Sequence, residues 1–225
     1  MTSYSLTSPP SSPSSALLVI DMQNDFMPGG QLPVADGDAL VPLINQLGAR
    51  FRNIVITQDW HPPGHISFAS SHDQRQPFDS IHVPYGAQTL WPDHCVQQTY
   101  GAQLHADLRL PRAQLILRKG CNPGIDSYSA FLEADRSTRT GLAGYLKDRG
   151  IDTVFVAGLA LDFCVAWSAQ DARAEGLTTV VIADACRAID LDGSLQSAWE
   201  TMLMAGVQRI ESHELFEQWP QPLLA

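Results

Sequence analysis

The chain has 225 residues, 44% of them hydrophobic, which is a single domain's length with an ordinary globular composition. A formal net charge of −10, with 14 Lys and Arg against 24 Asp and Glu, argues against a nucleic-acid surface. No apolar run reaches membrane-spanning length, and four cysteines without a C-x-x-C pair are too few for a disulfide framework, so a soluble protein of the reducing cytoplasm is expected.

Residues 1–15 are rich in Ser, Thr and Pro and lack both a basic region and an apolar core. They read as a disordered tail rather than a signal or transit peptide, followed by one domain over residues 16–225. Residues 16–20, ALLVI, form the first expected buried strand, and Asp21 follows at its C-terminal end. Open α/β sheets bind their ligands at such ends. A turn is expected at Pro28-Gly29-Gly30 and an amphipathic helix over residues 39–51, with Leu40, Leu43, Ile44 and Leu47 at helical spacing.

The second strand, residues 53–57, leads into Asp59-Trp60-His61. Alternate side chains of an extended segment share a side, so Asp59 and His61 offer one carboxylate and one imidazole together. The chain then reads as irregular to about Gln114, with several His residues and the cluster Trp91-Pro92-Asp93-His94-Cys95. His94 is the best third ligand. Two His and one carboxylate suit Fe(II), Zn(II) or Mn(II) with open positions.

A third strand, residues 114–118, delivers Lys119 to a strand end. A short helix over 141–149 follows, and then the apolar run 154–157, ended by Gly158. After the link 159–163 the pattern turns helical from Cys164 to Gly176. Cys164 thus falls where a strand hands over to the first turn of a helix, whose N–H groups and dipole favour a thiolate and can hold an oxyanion. A Lys beside a carboxylate and a thiol would hold that thiolate and orient the base. A strand over 178–183, a helix over 195–205, a short strand over 207–210 and an irregular tail at Trp219-Pro220-Gln221-Pro222 complete the chain. Strand and helix alternate throughout, which predicts a three-layer α/β/α fold with a central, mostly parallel, doubly wound sheet. Four strand ends then deliver Asp21, Asp59, Lys119 and Cys164 to one rim.

Five segments in this order, LLVIDMQNDFMPGG, ITQDWHPPGHISFAS, WPDHCVQQTYGAQLH, LRKGCNPGIDSYSAF and VAGLALDFCVAWSAQDA, resemble the nicotinamidase (pyrazinamidase) group of the isochorismatase-like cysteine hydrolase superfamily. The resemblance spans residues 16 to about 210. It implies Asp21, Lys119 and Cys164 as catalytic triad, and Asp59, His61 and His94 as ligands of one divalent transition metal ion (Zn, Fe or Mn). It implies His65 as a residue behind the ligands, and Phe26, Trp91 and Tyr128 as aromatic walls around a pyridine ring. It also implies a cis peptide before Ala160, with the N–H groups of Ala160 and Cys164 as oxyanion hole. The implied reaction is nicotinamide plus water to nicotinate plus ammonia through a cysteine thioester, a step of NAD salvage, with pyrazinamide as a second substrate. The implied partner is a small molecule, without nucleic acid or membrane; a homo-oligomer is compatible with this reading and not specified by it. A related cysteine amidase acting on another small amide or carbamoyl compound is the alternative. Phe163 stands where several relatives have a polar residue or Tyr, and the segment 71–83 varies in length among them.

Overall fold

The computed structural model describes residues 9–220. The predicted tail therefore lies outside the described residues over 1–8, as do Gln221 and Pro222 of the predicted irregular C-terminus.

Strand β1 (Ser15–Ile20) is buried at every position. Such a continuous apolar run is what a central parallel strand covered on both faces requires. It pairs in parallel with β2 (Asn53–Asp59) on one side and β6 (Thr153–Leu159) on the other. β5 (Ala113–Lys119) extends the sheet beyond β2, and β7 (Thr178–Arg187) and β8 (Gln208–Ile210) extend it beyond β6. The order β5-β2-β1-β6-β7-β8 is all parallel and reverses direction between β1 and β6. This is the doubly wound order, and its crevice opens at the carboxyl ends of those two strands.

The pleat sorts each strand into two cores. Leu17, Val19, Ile54, Ile56 and Phe155 face α1 (Val41–Gly48) and α5 (Ser212–Gln218). Ala16, Leu18, Ile20, Val154 and Val156 face α2 (Leu142–Asp148), α3 (Ala166–Ala174) and α4 (Ser194–Met204). The predicted three-layer architecture is the one observed.

The structure departs from expectation at particular elements. The stretch predicted as irregular contains a hairpin, β3 (Ser80–Val83) and β4 (Gly86–Thr89), whose strands of four residues each are too short for a pattern to stand out. Helix α5 was absent from the sequence reading. Its N-terminus is capped by Glu211 and Glu214 rather than by the Ser or Thr that advertises such a start. Cys164 does not open an α-helix. It lies in a wide turn, Leu161–Val165, whose Val165 N–H donates to the Ala160 carbonyl five residues back at 3.1 Å, and α3 begins only at Ala166.

Candidate active site

Four side chains meet where the sheet order reverses. Asp21 follows β1, with a left-handed φ of 48°. Asp59 and Lys119 are the last residues of neighbouring strands and pair directly in the β2–β5 register. Cys164 comes from the turn after β6. All four are buried. The Lys119 ammonium is the hub. Its Nζ lies 2.9 Å from Asp21 Oδ2 and 3.3 Å from Cys164 Sγ, pairs closely with Asp59 Oδ1, and donates to the Ser127 carbonyl at 2.9 Å. Asp21 Oδ1 accepts a 2.5 Å hydrogen bond from Thr57 Oγ1. Among the described residues its buried Oδ2 accepts no well-aligned hydrogen bond, although it is paired with Lys119, so a lone pair is free to take a proton. The carboxyl groups of Asp21 and Asp59 and the Cys164 sulfur lie within 4.8 Å of one another.

This crowding sets the charges. Burial works against the Lys119 cation, but Asp21 and Asp59 outweigh it and hold the pKa well above the ordinary value. Burial also raises Asp21, with Lys119 pulling the other way and Asp59 adding to the rise. Asp59 is pushed up by burial yet held well below the carboxylate range by Lys119 and His61. The thiolate expected from the helix end is overturned. Burial drives the Cys164 thiol well above its ordinary value, and the two nearby carboxylates reinforce this against the pull of Lys119. Burial thus favours the thiol form of Cys164, beside a carboxylate that can accept its proton.

Asp59 is shared with a second cluster. His61 Nε2 and His94 Nε2 lie 3.7 and 3.8 Å from Asp59 Oδ2. These gaps are too long for hydrogen bonds but fall within the roughly 4.2 Å that two ligand bonds to one ion can span. Both rings are held from behind, His61 Nδ1 by the Gly120 carbonyl at 3.0 Å and His94 Nδ1 by the Pro92 carbonyl at 2.8 Å. A proton on each Nδ1 leaves each Nε2 lone pair for a metal. The three side chains thus form a buried set suited to one divalent metal ion, with ligand atoms mutually within 4.8 Å.

His65 stacks on His61 with ring centroids 4.3 Å apart. Its Nε2 faces the carbonyls of Asn122 and Ile125 at 2.9 and 3.2 Å, and its Nδ1 lies 2.7 Å from Ser67 Oγ. Burial, with His61 adding to it, lowers its pKa to about 4. Both nitrogens of this neutral ring are engaged, so it sits behind the ligand set.

A small pocket opens onto both clusters. Phe26, Trp91 and Tyr128 line it, together with Ala160, Cys164, Asp59, His61 and His94. The Trp91 indole donates to the Tyr128 hydroxyl at 3.0 Å, which locks the two walls together. The peptide bond between Leu159 and Ala160 is cis. The structure thus brings together every predicted site residue, with His65 one layer out. Sequence reasoning missed several others. Phe163, Leu32 and Ile189 add to the walls, and Phe163 meets Trp91 edge-on at 4.9 Å. Gln23 fixes Asp59 through both main-chain groups, at 2.8 Å each. Its only signal was an amide two residues after Asp21, in the polar stretch that follows an apolar strand.

Fold and site together define a hydrolase-type α/β protein with a thiol at the switch point of its sheet. The isochorismatase-domain pattern matches residues 15–214, and the chain belongs to that family. Within it the chain stands with the nicotinamidases. It is 64% identical to the nicotinamidase of Acinetobacter baylyi over 89% of this chain and 94% of that one. Among solved structures, a nicotinamidase/pyrazinamidase of Acinetobacter baumannii superposes with a TM-score of 0.90 at 59% identity, covering 91% of this chain and 99% of that one. A Leishmania infantum relative in complex with nicotinate gives 0.79 at 41% identity, over 90% and 96% of the two chains. A Pyrococcus horikoshii pyrazinamidase in complex with zinc gives 0.72 at 34% identity, over 88% and 99%.

Proposed function

We propose that this chain hydrolyses nicotinamide to nicotinate and ammonia through a thioester on Cys164, and accepts pyrazinamide in the same pocket. The observation that carries this is the buried Lys119 ammonium, 2.9 Å from the Asp21 carboxylate and 3.3 Å from the sulfur of Cys164, which itself lines an aromatic-walled pocket. Asp21, with its free lone pair, takes the thiol proton. The emerging thiolate forms beside the Lys119 cation, which offsets the cost of a buried negative charge. The sulfur attacks the amide carbon, and the N–H groups of Ala160 and Cys164 receive the oxyanion. Protonated Asp21 gives its proton to the departing ammonia. Asp21 then deprotonates a water that cleaves the thioester, which releases nicotinate and restores the thiol.

Phe26, Trp91 and Tyr128 hold the flat ring and exclude water. Asp59, His61 and His94 would hold a divalent ion, which when bound would supply a Lewis acid to the pyridine ring. Zinc, iron or manganese suits this donor set, and zinc has support from the Pyrococcus horikoshii structure. The four cysteines are unpaired, which suits a cytoplasmic enzyme. No helix among the described residues is long and apolar enough to cross a membrane.

The test is ammonia release from nicotinamide by the purified, metal-loaded protein and by its Cys164→Ala variant. Wild-type turnover and loss of turnover in the variant are the expected results. An inactive wild type, or a variant that keeps its rate, sinks this reading.

A further inference from the structure

Asp162 lies two residues before the nucleophile, in the same wide turn, yet its carboxylate faces away from the chemistry. It is buried at 6% exposure. Its oxygens accept three hydrogen bonds from one distant segment: the Ile189 N–H at 3.0 Å, the Asp190 N–H at 2.7 Å and the Ser194 hydroxyl at 2.5 Å. Bonds to a carboxylate are about twice as strong as neutral ones. The segment they hold joins β7 to α4. Asp190 and Asp192 have left-handed φ values of 55° and 51°, which are uncommon outside glycine and which Asp tolerates better than most residues.

That segment carries a wall of the site. Ile189 lines the pocket beside Ala160, Phe163 and Cys164. Nothing in the local sequence of β7 or α4 directs Ile189 there. Main-chain pairing of β6 with β7 ends at Leu159 and Arg187, and beyond it the hydrogen-bonded link is the Asp162 side chain, reaching from the turn that carries the nucleophile.

We propose that Asp162 is a positioning residue that locks the Ile189 wall to the turn bearing Cys164, and so sets how tightly the substrate ring is held against the sulfur. This rests on the cysteine-amidase reading above. The carboxylate ties wall and nucleophile together beyond the point where the β6–β7 pairing ends. The wall contacts the ring in ground state and transition state alike, so loosening it weakens binding more than it slows chemistry.

The experiment is steady-state kinetics of ammonia release from nicotinamide by metal-loaded wild type, Asp162→Asn and Ser194→Ala, with amide hydrogen exchange at Ile189 and Asp190. In Asp162→Asn, KM is expected to rise about tenfold, the equivalent of one lost charge-assisted hydrogen bond, with a smaller fall in kcat. Ser194→Ala, which removes one bond of three, is expected to raise KM about threefold. Exchange at both amides is expected to speed up in Asp162→Asn. A KM that stays within about twofold of wild type, or unaltered exchange, overturns the positioning role. Should Asp162→Asn fail to fold, Ser194→Ala decides by the same KM criterion. A wild type that releases no ammonia sinks the amidase reading instead, so the two failures are distinct.

Discussion

Gly158 packs so closely on Ile20 that a Cβ at position 158 would sit 2.1 Å from the Ile20 carbonyl oxygen. The two residues are register partners in the β1–β6 pair, one step before Asp21 on one strand and near the Cys164 turn on the other. Gly158 also has a φ of 121°, a region closed to other residues. Backbone approach here sets the spacing between base and nucleophile.

Gly158→Ala should therefore damage both stability and activity. The backbone conformation alone costs about 1–3 kcal/mol, and the clash with a main-chain atom adds to it. Thermal unfolding and ammonia release measured together check this. Wild-type stability with wild-type activity would show that the two strands can part without consequence.

The acid limb of the pH profile should report Asp21. Burial, the largest influence, raises this carboxyl above the ordinary carboxylate value, with Lys119 opposing. The base is the deprotonated form. Activity is thus present above the raised pKa and lost as pH falls through it, at a higher pH than an exposed Asp would allow. The measurement is kcat/KM against pH for the metal-loaded enzyme. A limb at or below the ordinary carboxylate value would contradict the assignment.

Gly120 has a φ of 66°, and a Cβ there would lie 2.5 Å from the His61 ring. The Gly120 carbonyl also holds His61 Nδ1. Gly120→Ala should push this ligand off its position and weaken metal binding by about 10–100-fold, the usual effect of disturbing a ligand's support. Calorimetric metal titration of wild type and variant checks the shift, and circular dichroism checks that the fold persists.

Phe155 is fully buried in β6 and meets Phe51 edge-on at 5.1 Å. It lies in the core beneath α1, away from the pocket walls. Phe155→Ala should cost about 3–5 kcal/mol through lost burial and the cavity left behind. Urea unfolding gives the number, and a cost below about 1 kcal/mol would mean that the core collapses to refill the space.

Much of this was legible along the chain. The buried runs of β1, β2 and β6 are apolar because both sheet faces are covered, so strand alternation and the parallel sheet could be read directly. Asp21, Asp59 and Lys119 showed themselves as charges at the ends of such runs, where an apolar core stops and a ligand crevice begins. The β3–β4 hairpin and α5 did not show, because strands of four residues are too short to establish a period and a helix capped by Glu211 lacks the usual start signal. Gln23, Ile189 and Asp162 were equally silent, since each acts through partners far away in sequence.

Residue order alone determined the strands of the main sheet, that they lie parallel, and which side chains arrive at their carboxyl ends, because hydrophobic period and strand termination are local properties. Only the folded molecule decided that burial favours the Cys164 thiol and that Lys119 is the shared partner of Asp21, Asp59 and Cys164. It alone decided that Ile189 stands in the wall. Those outcomes depend on burial and on distances between strands remote in sequence, and electrostatic energy in a dry interior is set by separation in space, not by position along the chain.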